Sequence, residues 1–220
     1  MGKQIVARAN QSRFDYKYLK EVFGFDQGVT TQKQMLERIF AEDEQGAEIR
    51  QKMFKALAVK NYEFNAQGVE LNQRYTSNAV ISEAEPERFE RDQQLYLQAT
   101  TRPGAKVPHT WLVNANGQKQ STLDITGKGR FTLLTGLSGK GWKQATESLN
   151  LPYLDVIQIG SRDYRDVYGT WNAKSEIHES GAILVRPDGY VAWRYQDSTN
   201  DQFDFVNTLK AVLKQIQLTV

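Results

Sequence analysis

The sequence contains no cysteine among its 220 residues. Disulfide bonds, thiolate nucleophiles and cysteine-ligated metal sites are therefore excluded. Histidine is scarce as well, since His109 and His178 are the only two, and we predict no metal site. The dinucleotide-binding pattern GxGxxG does not occur either, so the sequence carries no flavin or nicotinamide fingerprint of its own.

Charge of one sign is not in excess. The sequence has 28 basic and 26 acidic residues, for a formal net charge of +2, and no basic block or acidic tail. This balance argues against a nucleic-acid partner. No apolar run approaches the length of a bilayer span, and the first residues lack the apolar core of a signal peptide. We therefore expect a soluble, cytoplasmic protein that does not bind membranes.

Apolar residues at helical spacing dominate the first sixty positions. One helix is predicted from Gly2 to Phe23, with Gly24 as its stop. A second helix follows Thr31, and a third runs from about Ala47 to Lys60, where Ile49, Met53 and Leu57 recur every four residues. Each helix is apolar on one side only. These helices are predicted to pack against another domain or a partner, because they do not form a self-sufficient core.

The second half of the chain has the pattern of an α/β domain. Buried strands are predicted at Phe131–Thr135 and Leu154–Ile159, with a helix between them, and a hairpin at Ala182–Tyr195 turns at Pro187-Asp188-Gly189. A last helix is predicted from Thr199 to Gln217. A right-handed crossover makes the first two strands parallel, and the hairpin adds antiparallel strands. This order predicts a thioredoxin-like mixed sheet with flanking helices.

The predicted domain organisation has three parts. Residues 1–81 are a helical segment with an extended arm, 82–107 are a polar linker, and 108–220 are the thioredoxin-like domain. Within the last part, 118–125 is predicted to return as the hairpin partner of a short strand at 109–113. The fold class is therefore α/β, with the thioredoxin-like domain preceded by a helical segment.

The residues that could carry chemistry favour no reaction. A thioredoxin-like domain holds its redox cysteines between the first core strand and the next helix, and here that loop reads GLSGKGW, Gly136–Trp142. A hydroxyl such as that of Ser138 cannot exchange disulfides, so the domain is predicted to be redox-silent. Lys140 and helix-start amides could hold an anion, but a plain turn is the favoured interpretation. The acidic residues Asp163, Asp166, Glu176 and Glu179 are read as a solvated face.

Four longer segments resemble a known family. They are GKQIVARANQS from Gly2, KNYEFNAQGVELNQRY from Lys60, STLDITGKGRFTLLTG from Ser121 and LVRPDGYVAWR from Leu184. In this order they look like the C-terminal portion of FAD-dependent aromatic hydroxylases of the phenol and 2,4-dichlorophenol monooxygenase type. Tyr190 departs from the pattern, since relatives often have histidine there.

The resemblance implies a role within a larger enzyme. In the complete family enzyme NADPH reduces FAD, and the reduced flavin and O2 hydroxylate a phenol ring. This chain matches none of the family's flavin motifs, so we expect no catalytic or cofactor-binding residue in it and no activity of the chain alone. Tyr62, Asn65, Gly68 and Tyr75 match a segment expected to run along the interface with the flavin- and substrate-binding part.

Two hypotheses of different class remain open. In the first, the chain is the C-terminal part of a phenol-type hydroxylase, with a structural role between domains or subunits. In the second, it is a stand-alone, redox-inactive thioredoxin-like interaction module. The expected partner is a flavin/substrate domain on the same or a separate polypeptide, and self-association through the amphipathic helices is the alternative.

Overall fold

The computed structural model describes residues 2–197 and 202–219, and these group into two compact units. The helical unit contains the chain up to Asn72 together with Phe89–Gln98. The thioredoxin-like unit contains Gln73–Arg88 and the chain from Ala99 onward. The predicted division of the chain into domains at 1–81, 82–107 and 108–220 stays a prediction. The segment predicted as a linker contributes to both units.

The helical unit consists of four helices around a small core. They are α1 (Gly2–Phe23), α2 (Val29–Ile39), α3 (Glu44–Phe64) and α4 (Gln67–Leu71). The Asp43 side chain caps α3 by accepting a hydrogen bond of 2.7 Å from the Gly46 amide. Three apolar residues are buried in the core, with four half-buried ones around them: Val22, Ile39 and Ala56, then Leu19, Phe23, Ile49 and Met53. The three long helices α1, α2 and α3 confirm the helices that were predicted from the apolar periodicity.

The thioredoxin-like unit contains the remaining elements. They are β1 (Trp111–Asn114), β2 (Lys119–Ser121), α5 (Thr122–Ile125), β3 (Phe131–Thr135), α6 (Lys140–Leu149), β4 (Leu154–Gln158), β5 (Tyr164–Arg165), α7 (Thr170–Lys174), β6 (Ala182–Val185), β7 (Val191–Tyr195) and α8 (Phe205–Gln215). A four-stranded sheet has the order β4-β3-β6-β7, and a three-stranded sheet has the order β2-β1-β5.

The four-stranded sheet has the predicted thioredoxin-like arrangement. Strands β3 and β4 are parallel, with Leu133 opposite Val156, and β6 and β7 are antiparallel neighbours. The hairpin between β6 and β7 turns at Gly189, which has a φ of +83° that a residue with a Cβ rarely adopts. The Arg186 amide donates to the Tyr190 carbonyl at 2.7 Å to close the turn. The fold class is therefore confirmed.

Both faces of this sheet are covered. On one face α6 and α8 bury Trp142 and Leu213 against Leu133 and Leu184. On the other face Leu112 and Trp171 are among the residues packed against Leu134, Ile183 and Val191. Two cores on one sheet explain why successive residues of β3 and β6 are buried, rather than every second one.

The outer edge of β7 is covered by the segment that the sequence predicted as extended arm and linker. The Ile81 amide donates to the Ala192 carbonyl at 2.8 Å, and the Gly104 amide donates to the Val191 carbonyl at 2.8 Å. The Val191 amide donates back to the Ala105 carbonyl at 2.8 Å. These bonds occupy an edge that would otherwise offer unpaired backbone groups to other chains. Residues 73–88 and 99–107 are thus built into this unit.

The prediction of a strand over 118–125 is wrong in its second half. Strand β2 ends at Ser121, and α5 begins directly after it. The Ser121 hydroxyl accepts from the Leu123 amide at 3.1 Å, and the Asp124 carboxylate accepts from the Ser121 amide at 3.0 Å. This capping box satisfies amides at the start of a helix and ends the strand. The last helix, α8, begins after Asp204; Thr199, its predicted start, lies outside the described residues.

Candidate functional site

The loop where a thioredoxin would carry its cysteines is filled by the protein itself. A Cβ added at Gly136 would lie 2.5 Å from the Glu179 carbonyl oxygen, and one at Gly139 would lie 1.8 Å from Thr135 Oγ1. The Ser138 hydroxyl lies 3.2 Å from the Glu179 carboxylate, whose negative charge opposes an anion here. These glycines are required by internal packing. The loop does not form an open cradle for a phosphate.

Glu176, one of the acidic residues singled out by sequence, has structural partners. Glu176 accepts from Arg194, from the Thr100 hydroxyl at 2.6 Å and from the Thr101 amide at 3.0 Å, while Arg194 also binds Glu83. Burial acts to lower the pKa of Arg194, but the hydrogen bonds and charges of Glu83 and Glu176 outweigh it and raise that pKa. Glu176 is thus part of an ion-pair network rather than a general acid or base.

The two histidines lie in separate local contacts. His109 Nδ1 lies 2.8 Å from the Ser121 hydroxyl, and its ring packs edge-on against Trp111. His178 Nδ1 lies 3.2 Å from the Ser180 hydroxyl. Within residues 2–197 and 202–219, histidine and acidic side chains form no group of three that could hold a metal ion.

Three of the four residues expected at an interface lie together in the helical unit. Tyr62 and Asn65 are near the C-terminal end of α3, and Gly68 is in α4. The Tyr62 hydroxyl donates to the Asp92 carboxylate. This bond raises the pKa of Tyr62 and lowers the pKa of Asp92, because it favours the neutral phenol and the ionised acid.

Arg8 joins α1 to the end of α3. Its guanidinium donates to the carbonyl oxygens of Tyr62 and Asn65, and to the Gln94 side chain at 2.9 Å. Carbonyls in the last turn of a helix lack backbone donors, and a cation there also interacts favourably with the helix dipole. Arg8 therefore fixes the position at which the chain leaves α3.

Gly68 permits a close approach of the 89–98 segment, which we call the strap. A Cβ at Gly68 would lie 2.2 Å from the Gln93 carbonyl oxygen, and the Gly68 amide donates to the Gln94 carbonyl at 3.1 Å. The Asn72 side-chain amide donates to the Gln93 and Tyr96 carbonyls at 2.9 and 2.7 Å. The matched segment thus holds the strap in place.

Tyr75, the fourth expected residue, belongs to the thioredoxin-like unit. Its amide donates to the Gly104 carbonyl at 2.9 Å, and its ring lies edge-on against Tyr190 with centroids 4.6 Å apart. Burial, followed by the neighbouring Tyr75, raises the pKa of Tyr190. The residue that departs from the family pattern therefore packs against one of the residues expected at the interface.

The strongest sign of an interaction surface was missed by the sequence interpretation. Phe54 on α3 and Phe64 at its end are 61% and 77% exposed, and Phe40 after α2 is 81% exposed. Leu57, predicted to share an inward stripe with Ile49 and Met53, is exposed as well. Helical spacing identifies apolar positions but cannot tell which of two apolar stripes lies in the core. Exposed aromatic side chains in such number indicate a protein-binding surface.

The sheet order and its flanking helices define a thioredoxin-like domain in a chain that also contains a helical unit. The family model for the C-terminal domain of aromatic-ring hydroxylases matches residues 100–216, and this chain belongs to that family. It is 39% identical to the 2,4-dichlorophenol 6-monooxygenase of Delftia acidovorans, over 98% of this chain and 37% of that protein. It is 38% identical to the phenol 2-monooxygenase of Pseudomonas sp. strain EST1001, over 91% of this chain and 34% of that protein.

Solved structures agree with this assignment. The flavin-dependent monooxygenase PieE, solved in complex with FAD and substrate, is 39% identical and superposes with a TM-score of 0.80 over 99% of this chain and 38% of PieE. Aklavinone-11 hydroxylase, solved with FAD and aklavinone, is 28% identical with a TM-score of 0.57, over 80% of this chain and 34% of that protein. The chain thus spans a little over a third of the relatives that it matches.

The glycines of the Gly136–Trp142 loop leave no room for the flavin pyrophosphate that these relatives bind. A flavin pyrophosphate needs glycines whose missing Cβ leaves room for the ligand at a helix start. Here Gly136 and Gly139 face the protein's own atoms, and Gly127 lies against the β6–β7 turn, where a Cβ would be 3.0 Å from the Pro187 carbonyl oxygen.

Each helix in the described part of the chain is too short or too polar to cross a bilayer.

Proposed function

We propose that this chain is the C-terminal part of an FAD-dependent, phenol-type aromatic-ring monooxygenase, and that its own role is structural. The helical unit packs against the flavin- and substrate-binding part, and the thioredoxin-like unit closes the molecule. The observation that carries the proposal is the set of exposed aromatic residues on the helical unit, among them Phe40, Phe54 and Phe64, in a chain that spans 37% of its 39%-identical relative. A partner that buries these rings removes a large apolar area from water.

In this proposal the partner is a flavin/substrate part, on the same or a separate polypeptide, and the setting is the cytoplasm. FAD, reduced by NADPH, supplies the oxygen chemistry there, and the substrate is a phenol. Tyr62, Asn65 and Gly68 act by holding the strap and the end of α3 in the shape that meets the partner. Tyr75 does the same from the thioredoxin-like unit. None of the four is proposed to touch the flavin.

Two measurements test the proposal. The purified chain alone should show no flavin absorbance and should not oxidise NADPH in the presence of phenol or 2,4-dichlorophenol. Co-expression with the GxGxxG-bearing polypeptide encoded next to it, or fused to it, should give a yellow complex that oxidises NADPH when phenol is added. A lone chain that carries FAD at equal stoichiometry would refute the proposal, and so would a flavin polypeptide that does not associate with it.

The thioredoxin-like unit also favours a second candidate function. It has complete cores on both faces of its sheet and a covered β7 edge, as expected of a module that folds by itself. A redox-inactive interaction module would meet this description. In that case the adjacent coding DNA would be unrelated to flavoproteins, and the aromatic residues of the helical unit would be buried by self-association, which sedimentation would detect.

A further inference from the structure

The helical unit contains a cavity of about 560 Å³ between its three long helices. Its walls are apolar, with Val22 from α1, Met35 from α2, and Ile49 and Ala56 from α3. This volume lies within the range of about 300–1,000 Å³ typical of small-molecule sites. The cavity is formed entirely by residues of this unit and is separate from the strap contacts of Tyr62 and Gly68.

Three cations line the same cavity. Arg38 comes from α2, and Lys52 and Lys55 lie one turn apart on α3. Glu21 is the one acidic residue among the described side chains that line this cavity. In the described part of the chain none of the three cations forms an ion pair. Like charges three residues apart on a helix repel each other, so an anion placed between them would be stabilised.

Other cations of the helical unit do have partners. Lys20 binds the Asp26 carboxylate at 2.7 Å, and Lys60 pairs with Glu63. The cations at the cavity differ from these two lysines in forming no ion pair and in lining an apolar surface. Apolar walls with a positive rim are complementary to a molecule that has an apolar body and an anionic group at one end.

We propose that this cavity binds a small amphiphilic anion, an aromatic ring bearing a carboxylate or a comparable anionic group. The ring lies against the partly exposed lining residues Met35, Ile49 and Val59, with Val22 and Ala56 behind them, and the anionic group lies at the rim between Arg38 and the two lysines. A neutral analogue gains only the apolar contacts, and a cationic analogue is repelled. The proposal does not depend on the presence of a flavin-binding partner, because the cavity lies within this chain.

Three probes that share one ring system test the inference on the full chain. They are 2-naphthoate, 2-naphthylmethanol and 2-naphthylmethylammonium, titrated into isotope-labelled protein and followed by NMR. The carboxylate should bind most tightly, the alcohol more weakly and the ammonium least, with shifts centred on the methyl groups of Val22, Ile49 and Val59. Equal affinity for the three probes, shifts centred elsewhere or no binding of naphthoate would each overturn the proposal.

A pair of double variants with the same change of charge tests the role of the cations. Lys52→Gln/Lys55→Gln should weaken naphthoate binding about five- to tenfold, since each exposed charge pair contributes modestly, and should leave the alcohol unchanged. Lys3→Gln/Lys33→Gln, which changes exposed lysines outside the cavity, should have no effect. Equal affinities in the two double variants would contradict the proposal.

A polypeptide is the competing occupant. A peptide rich in Glu and Leu that displaces naphthoate, binds more tightly and extends the shifts to the exposed rings of Phe54 and Phe64 would show that the cavity is part of a docking surface, and would overturn the small-molecule proposal. Failure of the peptide to displace naphthoate supports it. Added salt should weaken naphthoate binding but not that of the alcohol.

Discussion

The two units of this chain bury apolar residues to very different extents. The thioredoxin-like unit has clusters of twelve and eight buried apolar residues on the two faces of its sheet, whereas the helical unit has a cluster of three. The helical unit instead exposes large aromatic residues such as Phe40 and Phe64. Because burial of apolar surface is the main stabilising contribution to folding, we expect the first unit to fold by itself, and the small core of the second agrees with the proposal that a partner completes it.

The largest expected effect comes from removing the ring at the centre of the thioredoxin-like unit. Trp142 is fully buried, its indole N–H donates to the Ser180 carbonyl at 2.9 Å, and its ring contacts Trp193 and Phe205. Trp142→Ala should lower the free energy of unfolding of this unit by about 3–5 kcal/mol. All four tryptophans belong to this unit, so denaturation followed by tryptophan fluorescence measures it selectively.

A matched change tests whether burial causes this effect. Trp111 lies in the same unit but is 50% exposed, and Trp111→Ala should cost less than about 1 kcal/mol. In both variants α1–α3 should unfold at the same midpoint as in the unchanged protein. Circular dichroism at 222 nm, which detects helix, measures this midpoint. A loss of α1–α3 together with the thioredoxin-like unit in Trp142→Ala would contradict the independence of the two units.

The second prediction concerns the polar part of the thioredoxin-like unit. Arg194 is buried between Glu83 and Glu176, and Arg194→Met would leave two partly buried carboxylates without this partner. Removal of one partner from a buried ion pair costs about 3–5 kcal/mol, and the partial exposure of both acids reduces this to about 2–3 kcal/mol. The exposed pair of Arg130 and Asp155 is the control, since water screens it and Arg130→Met should destabilise the unit much less than Arg194→Met.

The third prediction moves to the helical unit and is smaller. Gly68→Ala places a Cβ against the Gln93 carbonyl oxygen, so either α4 or the strap has to shift, at a cost of about 1–3 kcal/mol. Gly2→Ala, where nothing lies within 4 Å, should be neutral. Hydrogen exchange of the amides of Gly68 and Gln94 gives the measurement. Unchanged protection in Gly68→Ala would show that the strap is not held at this point.

The sequence predicts the elements better than it predicts their partners. Strand β3, Phe131–Thr135, has the predicted limits because its residues are apolar or β-branched and glycines lie near both of its ends. The parallel order follows from the helix between two buried strands. The covering of the β7 edge by Ile81 and Gly104 could not be predicted, because those hydrogen bonds join backbone groups and leave no pattern of side chains. For the same reason the sequence interpretation took 82–107 for a polar linker.

The assignment of Tyr62, Asn65, Gly68 and Tyr75 to an interface came from the family match, and it stays a prediction. The family match selected Tyr62, Asn65 and Gly68, and in the structure Tyr62 and Gly68 bind the strap, whereas the Asn65 carbonyl binds Arg8. The sequence predicted that the helices pack against another domain or a partner, but it did not single out Phe54 and Phe64, because periodicity does not reveal which apolar residues a unit leaves exposed. The three cavity cations were missed too, since α2 and α3 had to be packed together before Arg38 and Lys52 could share a rim.

The smallest effect tests the bond between Tyr62 and Asp92, which joins α3 to the strap. Asp92 has a lowered pKa when folded, so its contribution to stability is present above the unfolded value near 3.8 and is lost as the pH falls through the folded pKa. Tyr62 has a raised pKa, so its contribution is present below the unfolded value of 10.0 and is lost as the pH rises above it.

Tyr62→Phe should therefore destabilise the helical unit by a few tenths of a kcal/mol between about pH 5 and pH 9, because both groups are exposed and water screens the bond. The difference from the unchanged protein should begin to shrink near pH 3.8, should vanish below the lowered pKa of folded Asp92, and should diminish above pH 10.0. Thermal unfolding at 222 nm across this range gives the measurement, with Tyr18→Phe on α1 as the control for loss of an exposed hydroxyl. A difference that persisted at low pH would mean that Tyr62 stabilises the unit through its ring, packed over Arg8, and that the carboxylate of the strap contributes nothing.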